Sequence, residues 1–210
     1  MDISDEAWAR KKRSEEQLRE EGIPVNPNLG PILTEAESGR RSLKEVALRL
    51  TSLLLVATKG DGLDQERIGK LVEMTPSPEV LSPRERAFID DPSPDEDTLD
   101  RYRLRHEAIW TLFWVLGQVD ELEPPDEFVD PEWMEDPEWT EYIDESAVRP
   151  QAEILDEADK NHRYHWAVVA ARFKGLPPPG DVLPEIVFER QLIFNWLIDP
   201  QKRDWDDITT

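Results

Sequence analysis

Two segments that repeat apolar residues at helical spacings constrain the fold of this chain most strongly. The first, within residues 93 to 118, is spaced by threes and fours: Leu99, Tyr102, His106, Ile109, Phe113 and Leu116. The second, within residues 153 to 173, comprises Leu155, Ala158, His162, His165, Trp166, Val169 and Phe173. Such spacings place side chains on one face of an α-helix. The sequence therefore predicts two long helices packed against each other, with Trp166 in the core.

The remainder of the chain indicates shorter helices joined by stiff connections. Ser42 and Ser82 are each followed three residues later by Glu, which is the pattern of an N-terminal capping box. Proline is common, with 18 residues, and glycine is scarce, with 9. We predict an all-α fold: a single helical-bundle-like domain with two long central helices, several shorter helices and an N-terminal helical arm. We expect residues 1 to 40 to form a polar helix and a proline-rich extended arm, and residues 41 to 210 to form the helical domain.

The composition limits the classes of partner. The net charge of −22 argues against binding nucleic acid or an anionic membrane through general electrostatics, and it permits a basic protein partner. The chain contains no cysteine, so disulfides and thiolate metal sites are excluded. The N-terminus has no apolar signal region, and no apolar run is long enough to span a bilayer. We expect a cytoplasmic protein, and the oligomeric state stays open.

One segment, residues 119 to 148, is strongly acidic. It contains 13 Asp or Glu residues and no Lys or Arg, and it includes a tandem hexapeptide at residues 130 to 141. So many unpaired carboxylates must be mostly solvated, because burying them is costly. Acids of this kind would steer a basic partner, and tryptophan rings would hold it once docked. The candidate partner-binding residues are Trp133, Trp139, Glu132, Glu135, Asp136 and Glu138.

A second set of candidates consists of polar residues on or beside the apolar stripes of three predicted helices. These are Arg105, Glu107, Asp159, Arg163, His165, Arg190 and Asn195. Buried charges must be paired, or each costs several kcal/mol. Two interpretations stay open. The set forms a pocket for a small polar ligand or a peptide terminus, or it forms internal ion pairs that fix the register of the helices.

The sequence offers no complete catalytic or metal-binding motif. Asp159, His162 and His165 share one helix face and His106–Glu107 lies on another helix, but helical-bundle metal sites need a fuller set of Glu and His ligands. A phosphate-binding glycine loop and a nucleophile elbow are both missing from the sequence. We therefore identify no catalytic residue and expect no metal and no cofactor.

Several stretches together resemble a known family. They are Arg13–Ser14 with Leu18 and Gly22, NPNLGPI at 26 to 32, RSLKEVALR at 41 to 49, RHEAIWTLFWVLGQVDEL at 105 to 122, EILDEAD at 153 to 159, RYHWAV at 163 to 168, ERQLIFNWL at 189 to 197 and WDDITT at 205 to 210. On these stretches the chain resembles a bacterial family catalogued as domain of unknown function 4272. The resemblance implies a mostly helical bacterial protein, and it implies no activity.

Three functions compete at this point. The leading one is a non-enzymatic acidic interaction protein that binds a protein partner, for example as an inhibitor or immunity protein against a basic toxin. The alternative is an enzyme or small-ligand-binding domain with a polar site between the two long helices, around Glu107, Asp159 and His165. The third is mimicry of nucleic acid, which requires rows of exposed carboxylates. A structure discriminates among them by showing whether a polar cavity or a filled core lies at these residues.

Overall fold

The structure, a computed structural model, describes residues 5–75, 80–131 and 147–210 and is all-α, with no strand among these residues. Its helices are α1 (Asp5–Glu20), α2 (Leu43–Gly60), α3 (Gln65–Met74), α4 (Pro83–Asp90), α5 (Glu96–Arg103), α6 (Arg105–Val115), α7 (Gln151–Phe173) and α8 (Pro184–Ile198). A short 3₁₀ helix follows at Trp205–Asp207. The predicted fold class is therefore confirmed.

The capping boxes begin α2 and α4, as the sequence predicts. The Ser42 hydroxyl accepts a hydrogen bond from the backbone N–H of Glu45, and the Glu45 carboxylate accepts one from the Ser42 backbone at 2.8 Å. Ser82 and Glu85 repeat this arrangement in α4. Each box satisfies two backbone donors that a helix start would otherwise leave unpaired.

Helix α8 lies at the centre of the fold. Apolar and polar side chains are buried on all its sides, and it packs against both α6 and α7. The predicted packing of the two long helices is mainly indirect, because α8 packs against both of them, although the first turns of α7 share the main core with α6. The main core cluster combines residues of α2, α6 and α8 with the first turns of α7 and with Trp205 and Ile208.

The predicted long helix from 93 to 118 is divided in two. Asp95 caps α5, the helix ends at Arg103, and α6 begins at Arg105 after a turn at Leu104. Both helices pack against α2. Helix α5 contacts α2 near the end of α2, and α6 contacts the middle of α2.

The buried face of α7 differs from the predicted stripe in its second half. Leu155 and Ala158 are buried as expected, but Val169 is exposed and Phe173 is 92% exposed. Trp166 is only partly buried, against a smaller cluster, so its predicted core position is wrong. The physical reason is that α7 is covered from two sides, by α8 and by α1, which moves the buried face to positions such as Tyr164 and Val168.

Helix α1 and the extended segment after it pack onto α7. Ala7 and Leu18 of α1 are fully buried, and Ile23 joins the cluster that surrounds Tyr164. Although α1 is polar in sequence, it also buries Arg10, whose Nε lies 3.1 Å from the Asp156 carboxylate of α7. Ion pairs thus replace part of the apolar contact that a helix interface usually has.

Candidate functional site

Arg105 and Glu189 connect α6 to α8. The Arg105 guanidinium donates to both carboxylate oxygens of Glu189, at 2.8 and 2.6 Å, and lies 5.9 Å from the ring of Trp205. Burial raises the pKa of Glu189, and the Arg105 charge opposes that change. This pair matches the interpretation of Arg105 as part of an internal ion pair that sets helix register.

Asp159 and Arg163 form a second buried pair, on α7. Their side chains are 0% and 1% exposed, and Arg163 Nη2 lies 2.6 Å from Asp159 Oδ1. The guanidinium also donates to the backbone carbonyls of Leu29 and Gly30, at 3.2 and 2.8 Å. Arg163 therefore holds the extended segment against α7, and its hydrogen-bonding capacity is committed to the fold.

The other polar candidates face different neighbours. Glu107 accepts a hydrogen bond from the backbone N–H of Val129 at 2.7 Å, and burial raises its pKa. The His165 ring packs edge-on against Phe188 at 5.2 Å, and burial lowers its pKa. The Asn195 side chain donates to the Thr209 carbonyl at 2.7 Å.

The structure thus distributes the residues of the predicted polar pocket over several places. Glu107, Asp159 and His165 have separate partners, namely Val129, Arg163 and Phe188, so these three are not gathered into one constellation. Within the described ranges, no group of three or more His, Asp or Glu residues is placed to hold a metal ion.

Arg190, one of the predicted residues, lines a polar cavity. Its volume is about 470 Å³, and we refer to it as the acidic groove. It is bounded by α1, α7, α8 and the loop after α6. Its lining residues are Gln17, Glu21, Trp114, Asp120, Glu121, Leu122, Glu123, Pro124, Pro125, Arg149, Glu153, Asp156, Glu157, Lys160, Asn161, Tyr164, Arg190 and Phe194.

The floor of the acidic groove carries one buried cation and one buried hydroxyl. Arg190 is buried and donates to the Glu123 carbonyl at 2.7 Å, while its Nε has no partner in the described part of the chain. Burial lowers the pKa of Arg190, and the Glu107 charge opposes this. The Tyr164 hydroxyl donates to the Glu21 carboxylate, and burial together with this bond raises the pKa of Tyr164.

The rim of the acidic groove is negative. The other two cations of the lining are already paired, Lys160 with Glu157 at 2.6 Å and Arg149 with Glu153 at 3.2 Å. The side chains of Asp120 and Glu121 are exposed and form no ion pair with any described residue. The groove therefore presents surplus negative charge to solvent.

The acidic segment after α6 is described only in part. Residues 120 to 131 lie at the surface, with Leu122 and Pro125 turned inward. The six partner-binding candidates, which are Trp133, Trp139, Glu132, Glu135, Asp136 and Glu138, lie outside the described residues.

Sequence reasoning missed most of the groove. Glu157, Lys160, Asn161 and Tyr164 recur at spacings of three and four along α7, which places them on one face. That polar repeat was a usable signal, but it is interleaved with the apolar stripe. Glu21 had no such signal, because it lies at the end of a helix that is polar on nearly every side.

Fold and site together define an all-α protein with a charged cavity between its helices. Within those residues, none of the helices has the length and apolar character needed to cross a membrane. Residues 10–208 match the family described as Domain of unknown function (DUF4272), so the chain belongs to that family and the resemblance is confirmed. Searches of curated proteins and of solved structures found no match.

Proposed function

We propose that this protein is a non-enzymatic interaction protein that binds a basic segment of a protein partner in the acidic groove. The observation that carries the proposal is the composition of the groove lining, which has seven carboxylates and three cations, and in which Asp156 is paired with Arg10 and Arg13 of α1. Two of those cations are paired with carboxylates of the same lining, and the third, Arg190, is buried at the floor. The rim is left for a ligand of positive charge.

Aromatic and apolar groups at the base of the groove suit a lysine or arginine side chain. Trp114, Tyr164 and Phe194 contribute to the lining. Basic side chains carry long methylene stems that pack on apolar surface while the charged group stays at the polar rim. An aromatic ring also attracts a guanidinium or ammonium group that lies over its face.

The overall charge supports the same partner class. A net charge of −22 attracts a basic protein over long range and speeds its association, an effect that added salt weakens. Inhibition of, or immunity to, a basic toxin is one concrete form of such a function. We further propose that the protein acts in the bacterial cytoplasm and does not bind nucleic acid.

The test uses paired variants with equal changes of charge. Asp120→Asn with Glu121→Gln removes two exposed carboxylates at the rim of the groove. Asp97→Asn with Glu73→Gln removes two exposed carboxylates on α5 and α3, away from it. A fluorescently labelled peptide of alternating Arg and Ala is the probe, and its glutamate counterpart is the negative control.

We expect the rim variant to weaken binding of the arginine peptide about tenfold and to reduce its dependence on salt, while the distant variant retains most of the affinity. Equal losses in both variants would show that binding follows net charge alone. That result contradicts the proposal that the groove is the binding site.

A further inference from the structure

Arg190 presents an unused hydrogen-bond donor to the acidic groove. The residue is 6% exposed and lines the groove. Its Nη1 donates to the Glu123 carbonyl at 2.7 Å, and its buried Nε has no partner among the described residues. The third nitrogen, Nη2, also forms no hydrogen bond with a described residue, but unlike Nε it is not shielded from solvent. A ligand in the groove can therefore reach Nη2 directly.

The ionisable groups around Arg190 act on it from a distance. They are Glu107, Glu157, Tyr164 and Asp126. Glu157 is paired with Lys160, and Tyr164 donates to Glu21. Glu107 accepts a hydrogen bond from the Val129 backbone, and Asp126 is exposed. These groups oppose the effect of burial, yet burial still lowers the pKa of Arg190. A buried charge without a close partner lacks stabilisation, and an anion held against the guanidinium supplies it.

The same groove has free carboxylates at its rim. Asp120 and Glu121 are exposed and form no ion pair with any described residue. They precede Glu123, whose carbonyl accepts from Arg190, by three and two residues. The backbones of Asp120 and Glu123 are therefore at most about 11 Å apart. Over this short distance the groove offers an unused donor at its floor and unpaired acceptors at its rim.

We propose that the acidic groove binds the carboxyl-terminal end of a basic protein partner. The terminal carboxylate accepts from Arg190, and the basic side chains of the last residues meet Asp120 and Glu121 at the rim. This inference rests on the proposed function and identifies which part of the partner enters the groove. Guanidinium and carboxylate groups form the stronger, charge-assisted kind of hydrogen bond, and capture of a terminal carboxylate is a recurring mode of peptide recognition.

A ligand with charges of both signs suits the groove better than a ligand with one. The seven carboxylates of the lining repel a simple anion, so Arg190 alone does not retain one. A purely cationic segment leaves Arg190 buried without a close partner. A basic carboxyl terminus satisfies both ends of the groove. The volume of about 470 Å³ lies near the lower end of the range for ligand cavities, about 300–1,000 Å³, which suits the last residues of a chain.

The experiment compares two peptides that differ only at the carboxyl terminus. Both alternate Ala and Arg, end in Arg and carry a fluorescent label at the amino terminus. One has a free terminal carboxylate, which is ionised at neutral pH, and the other has a terminal amide. Binding of each to the full chain is measured by fluorescence anisotropy at pH 7, and free L-arginine competes for the site in a separate series.

General electrostatics and the proposed site predict opposite results for this pair. The amide peptide is the more positive, so attraction to a chain of net charge −22 favours the amide. We expect instead that the acid peptide binds about tenfold more tightly, because only its carboxylate accepts from Arg190. Free arginine offers a single basic side chain to the rim, and we expect it to bind about tenfold more weakly than the acid peptide or less.

Variants locate the terminal carboxylate. Arg190→Gln removes the guanidinium, and we expect it to abolish the preference for the acid peptide while the amide peptide still binds. The matched control, Arg67→Gln, changes the net charge equally at an exposed position on α3 and should leave the tenfold preference intact. Asp120→Asn with Glu121→Gln should weaken both peptides by a similar factor, because these carboxylates contact the basic side chains that the two peptides share.

Several outcomes overturn the inference. These are equal affinity for the two peptides, tighter binding of the amide, a preference for the acid that survives in Arg190→Gln, or free arginine that binds as tightly as the acid peptide. If Arg190→Gln fails to fold, the Nε–H resonance of Arg190 in the wild type decides instead, and it must shift with the acid peptide more than with the amide. Binding of both peptides without a preference leaves the proposed function standing, whereas binding of neither overturns both.

Discussion

The guanidinium of Arg163 lies 2.6 Å from the carboxylate of Asp159, one turn earlier on α7, and both side chains are almost entirely hidden from solvent. Arg163 also donates to the carbonyls of Leu29 and Gly30. The pair therefore serves two purposes: it neutralises charge inside the protein, and it attaches the extended segment to the helix.

Removing the side chain of either Arg163 or Asp159 should destabilise the folded protein. We expect Arg163→Ala or Asp159→Ala to reduce the free energy of unfolding by roughly 3–5 kcal/mol, because each leaves the other charge buried and unpaired. The double variant should cost less than the two losses together. Urea denaturation measures all three, and fully additive losses would show that the two side chains do not interact.

A glycine at the end of α2 permits a close approach of two helices. A Cβ atom at Gly60 would lie 2.7 Å from the backbone nitrogen of Arg103 in α5. We expect Gly60→Ala to destabilise the protein. At Gly69, inside α3, nothing lies within 4 Å of the added atom, so Gly69→Ala should stabilise by about 0.5–1 kcal/mol. Thermal unfolding of both variants checks this, and a melting temperature of Gly60→Ala equal to the wild type would contradict the close packing.

Trp196 and Trp166 differ in how far their side chains are buried, so substitutions at the two positions test which of them belongs to the core. Trp196 of α8 is buried in the main core, against Trp205 at 6.2 Å, whereas Trp166 of α7 is only partly buried. We expect Trp196→Ala to cost roughly 3–5 kcal/mol. Trp166→Ala should cost clearly less, and chemical denaturation compares the two. Equal losses would place Trp166 in the core after all.

Histidines contribute to the pH dependence of stability. Burial lowers the pKa of His162, and the Arg163 charge adds to this; burial alone lowers the pKa of His165. The unfolded state therefore takes up protons first as the pH falls below about 6.5, and the stabilisation from the neutral rings is lost at lower pH.

The measurement is an NMR titration of the imidazole resonances, with both midpoints expected below that of free histidine. Burial raises the pKa of Glu107 and Glu189, which acts in the opposite direction on stability. The histidine contribution is therefore isolated by comparing the wild type with His165→Gln, whose stability should depend less on pH near 6. A midpoint at or above the free value for His165 would refute the effect of burial.

Local rules predicted the parts of the fold that local chemistry determines. Ser42 and Ser82 begin helices because their capping boxes require only residues three apart. The turn at Leu104 could not be predicted in this way, because neither glycine nor proline marks it in the sequence. Phe173 continues the apolar stripe in sequence, yet its side chain is 92% exposed, and periodicity carries no information about which neighbours cover a helix.

For the candidate sites, too, the sequence identified the residues but not their partners. Polar residues on the helices were recognised as candidates, since charges beside an apolar stripe need partners. Which partners they find depends on tertiary contacts: Arg105 reaches Glu189 across two helices, and Arg190 reaches the Glu123 carbonyl of a loop. The sequence gives no sign that one carboxylate oxygen of Glu107 lacks a hydrogen-bond partner among the described residues.

The position of Trp205 bears on the order in which the protein folds during synthesis. Its ring packs in the main core against Trp196 and lies 4.3 Å from the guanidinium of Arg49 in α2. Arg49 precedes Trp205 by 156 positions, so this contact forms only after all the helices from α3 to α8 have been synthesised. Contacts of such long range slow folding and leave apolar surface open to aggregation. A nascent chain truncated before Trp205 should therefore occupy chaperones longer than the chain that includes it.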